Sequence, residues 1–439
     1  MEQQTKKSSG ISRRNWVIIW LVGLAGQLCW NVENQWFNTF VYKKIAPDPS
    51  IIAWMTAISA TFTTISTFVN GTWSDRLGKR RPFIFAGYLL WGLFTIAYGA
   101  TEFLPKDPLI LAAVMVVAMD ALMSFCGSMG NDASFNAWTT DITNEHNRGQ
   151  LGAVVAAQPV IATIVGTVVS GIIIEKFDYF AFFIIMGVFV SVIGVVGALL
   201  MRESATLRPM RDDRGFLHQL GSVFDFKTFV RHKELFFVFL IMTAYFICFN
   251  FYFVHIGNYF IYALGFSEGA AGVIQGVGLL VAVLFTIPAA RYIDRGGHAR
   301  AIVLSVISTI VGLIVLGFSG TSVPLIEIGI VLAGVGYVLV LQTTTAWAKN
   351  LYPEGQRGQF EGVRILFFVL LPMVIGPAIA SAIIKRWGVP FTNEFGIAGS
   401  APTAALFFFA AALSGITLIP LYFANREKKK REAAASAEG

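Results

Sequence analysis

Charge is what this sequence has least of. Only 13% of its 439 residues are Asp, Glu, Lys or Arg, about half the share of a water-soluble domain. That balance points away from a chain folded in water. Cysteine is scarce too. Cys29, Cys126 and Cys248 lie in apolar runs without CxxC spacing, so neither a disulfide nor a metal site is expected. No GxxxxGK[ST] loop occurs, which argues against ATP as an energy source. No grouping of nucleophile, base and acid suggests an enzyme, and no cofactor is expected.

What the chain has is apolar surface. Hydrophobic residues make up 55% of it, with 39 Phe. A membrane-crossing helix needs about 20 mostly apolar residues. Twelve such runs are found, at about 16–42, 51–74, 82–103, 109–138, 149–174, 180–201, 235–263, 269–291, 300–319, 323–348, 358–385 and 402–424. The first is too long for a signal-peptide core and reads as an uncleaved helix. The expected fold is an all-α membrane protein of two six-helix bundles. Residues 1–15 form a cytoplasmic N-terminus and 16–201 the first bundle. Residues 202–233 form a central cytoplasmic loop, 234–424 the second bundle and 425–439 a cytoplasmic tail.

The net charge of +7 is spread over loops and tails, so it marks topology and not a nucleic-acid face. With both termini cytoplasmic, 26 of the 33 Lys and Arg fall inside and six outside, and Arg364 sits within a span. That asymmetry fixes the orientation, and a plasma-membrane location is expected.

An internal repeat runs through the chain. Trp138, Glu145, Arg148, Gly149 and Gln150 match Trp347, Glu354, Arg357, Gly358 and Gln359 at one offset, 209. Asp75, Arg76 and Gly78 match Asp294, Arg295 and Gly297, and Asn38 and Tyr42 match Asn258 and Tyr262. Two halves in the same orientation with a site between them is how rocking transporters are built.

With its twelve-span, two-half plan and the run Gly71, Asp75, Arg76, Gly78, Arg80, Arg81 after the second span, the chain resembles the major facilitator superfamily. Within it the chain is similar to the glycoside–pentoside–hexuronide cation symporters and the sucrose transporters. Arg81–Pro82 after the basic loop, and Asp141 shortly before Arg148, carry that second likeness. The melibiose permease branch has two aspartates in helix 2 where this sequence has Thr63 and Thr67. The resemblance therefore implies no sodium site of that kind. It shifts the expectation to coupling by protons at other carboxylates, with facilitated diffusion as the other outcome. Helix 5, with Gly166 and Gly171 but no proline between them, departs from the drug-antiporter pattern.

The residues themselves point to a small polar cargo. Gln27, Asn31, Asn34 and Asn38 share one face of helix 1. Amides facing lipid are costly, so the stripe should face a wet cavity or another helix. Amides donate and accept, which suits hydroxyl groups. Glu33 lies off that stripe, either paired with another helix or acting as the coupling carboxylate. Asp120, near mid-membrane in helix 4, is a second coupling candidate and Asp132 a third; a structural hydrogen bond is the other reading. Glu361 and Arg364 in helix 11 form an intramembrane charge pair, locally or by way of a partner across the halves. Trp138, His255, Asn258 and Gln342 complete the substrate-binding candidates, since the resemblance puts helices 1, 4, 7 and 10 around the cavity. Asp75, Arg76, Arg80, Asp294 and Arg295 are gating candidates. The function expected is a sugar or glycoside symporter that works by alternating access, as a monomer in the lipid bilayer, with a proton as the co-transported partner. A lipid or drug exporter, or a transporter-like nutrient sensor, is the alternative.

Overall fold

The computed structural model describes residues 11–438 except 144–147, 205–206, 211–214, 217–220, 222–231, 290–292, 294–296, 353–359 and 361–362. Eleven of its helices are long and apolar enough to cross a membrane. One of them, Arg148–Leu200, is two spans in one. Asp178 breaks it, with φ 63° and ψ 173°, a backbone conformation that a residue bearing a Cβ rarely takes. Its carboxylate accepts hydrogen bonds from the Tyr179 amide at 2.8 Å and from Lys44 Nζ at 2.6 Å, which hold the break in place.

The chain therefore crosses the bilayer twelve times. Helix α1 is Arg13–Phe40, α2 Pro49–Leu77, α3 Arg81–Gly99 and α4 Leu109–Ser128. The arms of Arg148–Leu200 before and after Asp178 are α5 and α6. The second half has α7 Lys233–Asn258, α8 Glu268–Thr286, α9 His298–Phe318 and α10 Val323–Leu351. Helix α11 is Leu371–Trp387, and α12 runs through Ala405–Ser414 and Leu418–Glu438. The last helix carries on through the basic residues beyond the apolar run, farther than hydropathy alone would take it.

Large apolar side chains face outward all round, such as Trp54, Ile110, Leu199, Phe285 and Phe318. In lipid that surface is solvated, so burial of apolar area does not bring the helices together. Small residues at the crossings do. A Cβ on Gly92 of α3 would strike the backbone of Gly187 on α6, and one on Gly87 would strike Gly130. Both pairs are glycine on glycine, which lets backbones touch.

The two halves are joined at the end of the molecule opposite the termini. The repeat-related Tyr42 and Tyr262 stack there with ring centroids 5.8 Å apart, and Tyr262 donates to the Thr39 carbonyl at 2.8 Å. Lys43 meets Glu268 at 2.9 Å, and Lys44 meets Glu394 at 2.8 Å while also holding Asp178. Between α11 and α12 a two-stranded hairpin, Val389–Thr392 paired with Ala398–Ala401, lies over the first half. It donates from Ser400 N to the Pro47 carbonyl at 2.9 Å and accepts from Tyr42 Oη at 3.0 Å. Hydropathy shows this segment only as the connection between the runs 358–385 and 402–424.

Candidate functional site

A cavity of about 690 Å³ lies between the halves below this seal. Exposed Asn136 marks its rim toward the end bearing the termini. Its wall from the first half is polar. Gln27, Asn31 and Asn34 of α1 line it, with Thr63 and Thr67 of α2, Asp132 and Asn136 from α4 and its continuation, and Thr163 of α5. Three of the four amides on the α1 stripe thus face the cavity. The fourth, Asn38, is buried; its amide donates to the Asn34 carbonyl at 2.8 Å. Asn34 is oriented the same way, donating to the Trp30 carbonyl at 2.7 Å.

Glu33 borders the cavity from the other side of α1. Its Oε1 accepts hydrogen bonds from Ser59 of α2 at 2.7 Å and from Ser124 of α4 at 2.8 Å, and the two hydroxyls are 2.6 Å apart. Its Oε2 is buried with no hydrogen-bond partner. Asp120 lies behind this group, buried and outside the cavity lining, with Ser59 within its reach and its own Oδ1 unpartnered. Asp132 is held separately. Asn131 donates to it at 2.9 Å and is itself fixed by Tyr88 Oη at 2.9 Å. Both Asn131 and Asp132 sit in the π-helical turn Met129–Phe135 that widens the continuation of α4, a distortion that often marks a functional position. Thr67, where the related branch has an aspartate, bonds Ser128 Oγ at 2.7 Å.

The wall from the second half is different. Phe246, Phe249, Phe253, Tyr337 and Phe368 form an aromatic cluster on it, among aliphatic residues such as Leu279, Ile330 and Met373. Phe249 stacks on Phe253 and on Tyr337, each with centroids 4.5 Å apart and planes within 22°. Phe246 meets Phe368 edge to face at 4.5 Å. Arg364 of the turn before α11 lines the cavity over the Phe368 ring, 5.2 Å from its centroid. Glu361, its expected partner, lies outside the described residues. Asn250, Tyr252, Gln275 and Thr345 are further polar side chains on this face.

Other candidate residues lie away from the cavity. His255 and Asn258 of α7 are fully buried, with their ring nitrogens and amide atoms unpartnered. Gln342 is exposed. Trp138 is buried at the end bearing the termini and donates to the Arg202 carbonyl at 3.0 Å. Among the gating candidates, Arg80 bonds Asp75 at 2.6 Å and Asp141 at 3.0 Å. Burial disfavours its charge, but the two aspartates outweigh burial and hold the guanidinium above its ordinary pKa. Arg76 is also partnered, and Asp294 and Arg295 lie outside the described residues. No group of three or more His, Cys, Asp or Glu that could hold a metal occurs among the described residues.

The site reading by sequence missed the aromatic face and Gln275. Phe246, Phe249 and Phe253 recur at helical spacing, so the stripe could have been seen. In a helix apolar on every side, however, nothing separates a cavity-facing Phe from a lipid-facing one. Gln275 pairs with Gln35 across the halves at 2.6 Å.

Residues 16–267 and 238–439 each match the family model of the Major Facilitator Superfamily. No curated protein matches the sequence. Similar solved structures include the nucleoside transporter NupG, with TM-score 0.68, 10% identity and coverage of 94% of this chain and 99% of that one. A D-xylose-proton symporter gives TM-score 0.68 and 16% identity over 93% and 97%. The xylose transporter XylE from E. coli, in a partially occluded inward-open state, gives 0.67 and 12% over 92% and 98%.

Proposed function

Because the chain belongs to the major facilitator superfamily, we propose that it is a secondary transporter carrying a sugar or glycoside together with a proton. One observation carries the reading. Gln27, Asn31 and Asn34 line the cavity between the halves beside a carboxylate, Glu33, that two serines hold in place. Side-chain amides match hydroxyl groups, since each both donates and accepts. A carboxyl group inside a membrane protein is costly and is kept where it does work. Similar folds include a D-xylose-proton symporter, which agrees with this reading.

The cycle follows from the joints. With the far end sealed, the cavity is open toward the end bearing the termini, and rocking of the halves exposes it to the other side. The distribution of Lys and Arg supports reading that end as cytoplasmic in a plasma-membrane protein. Glu33 takes up the proton, with Asp120 behind it sharing Ser59, and Asp132 is a separate carboxyl at the rim. Arg80, bound to Asp75 and Asp141, ties the ends of α2, α3 and α4 into one piece that moves as a unit.

The test is uptake by the purified chain in proteoliposomes under an imposed pH gradient, with a panel of sugars. Accumulation of one class that collapses with the gradient supports the reading. If pH-driven uptake survives Asp120→Asn but not Glu33→Gln, Asp120 is a supporting group only. Lack of uptake or binding of every sugar, with lipophilic compounds bound instead, would replace it by an exporter of lipids or drugs, a reading that the aromatic wall on its own would favour.

A further inference from the structure

From the unlike walls of the cavity we infer that the cargo is itself two-sided: a glycoside whose aglycone is a flat apolar ring. This rests on the sugar reading above and narrows it. The first-half wall offers amides and hydroxyls, to which Trp30 adds one aromatic face. The second-half wall offers Phe249, flanked by Phe253 and Tyr337 in parallel at 4.5 Å, with Phe246 and Phe368 edge to face beside them. A free sugar presents hydroxyls around its whole rim. Pressed against the stacked rings of this second wall, the hydroxyls on that side would lose water and find no acceptor among the Phe side chains, which costs free energy; Asn250, Gln275, Thr345 and Arg364 supply polar groups elsewhere on that wall. A flat ring there would continue an existing stack, in the offset arrangement aromatic rings prefer. The volume agrees. About 690 Å³ falls within the roughly 300–1,000 Å³ of small-molecule pockets, which leaves room for a sugar with a ring attached.

The wall also separates this cargo from a plain lipophile. A lipid or drug without hydroxyls would leave Gln27, Asn31 and Asn34 facing apolar surface, the same penalty on the opposite side. A molecule polar at one end and flat and apolar at the other suits both faces.

The experiment is binding of glucose, galactose and xylose to the purified wild-type chain, each as the free sugar, the methyl glycoside and the phenyl glycoside. For the sugar that binds, the phenyl glycoside should bind at least tenfold more tightly than the methyl glycoside, which corresponds to about 1.4 kcal/mol. Phe249→Ala should remove most of that ratio. Phe249→Leu serves as the second variant if the alanine form does not fold. Equal binding of free, methyl and phenyl forms would overturn the inference and leave the sugar reading standing. An unchanged ratio in a folded Phe249 variant would overturn it as well. If phenol binds and no sugar-bearing probe does, both the inference and the sugar reading fall.

Discussion

The two halves carry matching motifs, yet they use them differently. Trp138 and Trp347 occupy matching places and both are buried. In the first half the indole donates to a backbone carbonyl, of Arg202. In the second it donates to a carboxylate, Glu234 Oε1 at 2.8 Å, whose Oε2 accepts from Arg431 Nε of the last helix at 2.8 Å. The cavity repeats this contrast on a larger scale. One half supplies amides, hydroxyls and the serine-bound Glu33, and the other supplies stacked rings. A parallel repeat thus fixes where helices stand without fixing what they present. Recognition can be divided between the halves, with the polar half supplying direction through hydrogen bonds and the aromatic half supplying contact area.

The largest effect should come from breaking the polar side at its charge. Glu33→Gln keeps the shape but takes away the proton site. Uptake driven by a pH gradient should disappear, while exchange of labelled for unlabelled solute at equal pH continues; loss of both would show that Glu33 is structural. Next is the joint between the halves. Lys44→Met would leave Glu394 and Asp178 facing each other without the cation between them. A Ser400→Cys reporter should then react with an impermeant maleimide about fivefold faster, the factor that about 1 kcal/mol of lost pairing gives. The native cysteines are all buried and should not interfere. Asn34→Leu replaces one amide on the polar wall. It should raise KM for the sugar by about tenfold, the cost of one unmet hydrogen bond in a closed site, with little change in thermal stability. The smallest effect belongs to Arg431→Ala. Its side chain is 57% exposed, so losing its pair with Glu234 should lower unfolding stability by less than about 1 kcal/mol, seen as a small drop in melting temperature.

Much of the fold was legible because lipid demands it. Each span must satisfy its backbone within itself and show apolar residues over about 20 positions, and that pattern is plain from Trp16 onward. The α5–α6 turn was legible too, since the apolar runs 149–174 and 180–201 stop on either side of Asp178, where the helix breaks. The hairpin Val389–Ala401 left no alternating pattern strong enough to read. For the site, the polar wall was legible because Gln27, Asn31 and Asn34 stand out in an apolar helix. The aromatic wall was not. Phe249 lines the cavity while Phe285 is 69% exposed to lipid, yet both sit in equally greasy surroundings in sequence. The serines were missed for another reason. Ser59 and Ser124 are ordinary in a span until Glu33 is found between them.

The ion pairs at the far end are unevenly owned. Lys43 and Lys44 belong to the first half, and so do Asp178 and Glu102, which stand 4.0 Å from Lys43 and 3.9 Å from Lys44. Glu268 and Glu394 come from the second half and depend on those lysines. When the halves part, each lysine keeps a carboxylate of its own side, and the two glutamates are left behind. The opened mouth would therefore bare two acids of the second half opposite Lys106 of the first, whose ammonium lies 5.1 Å from the Phe395 ring beside Glu394, so each half would turn a different sign of charge toward the passage.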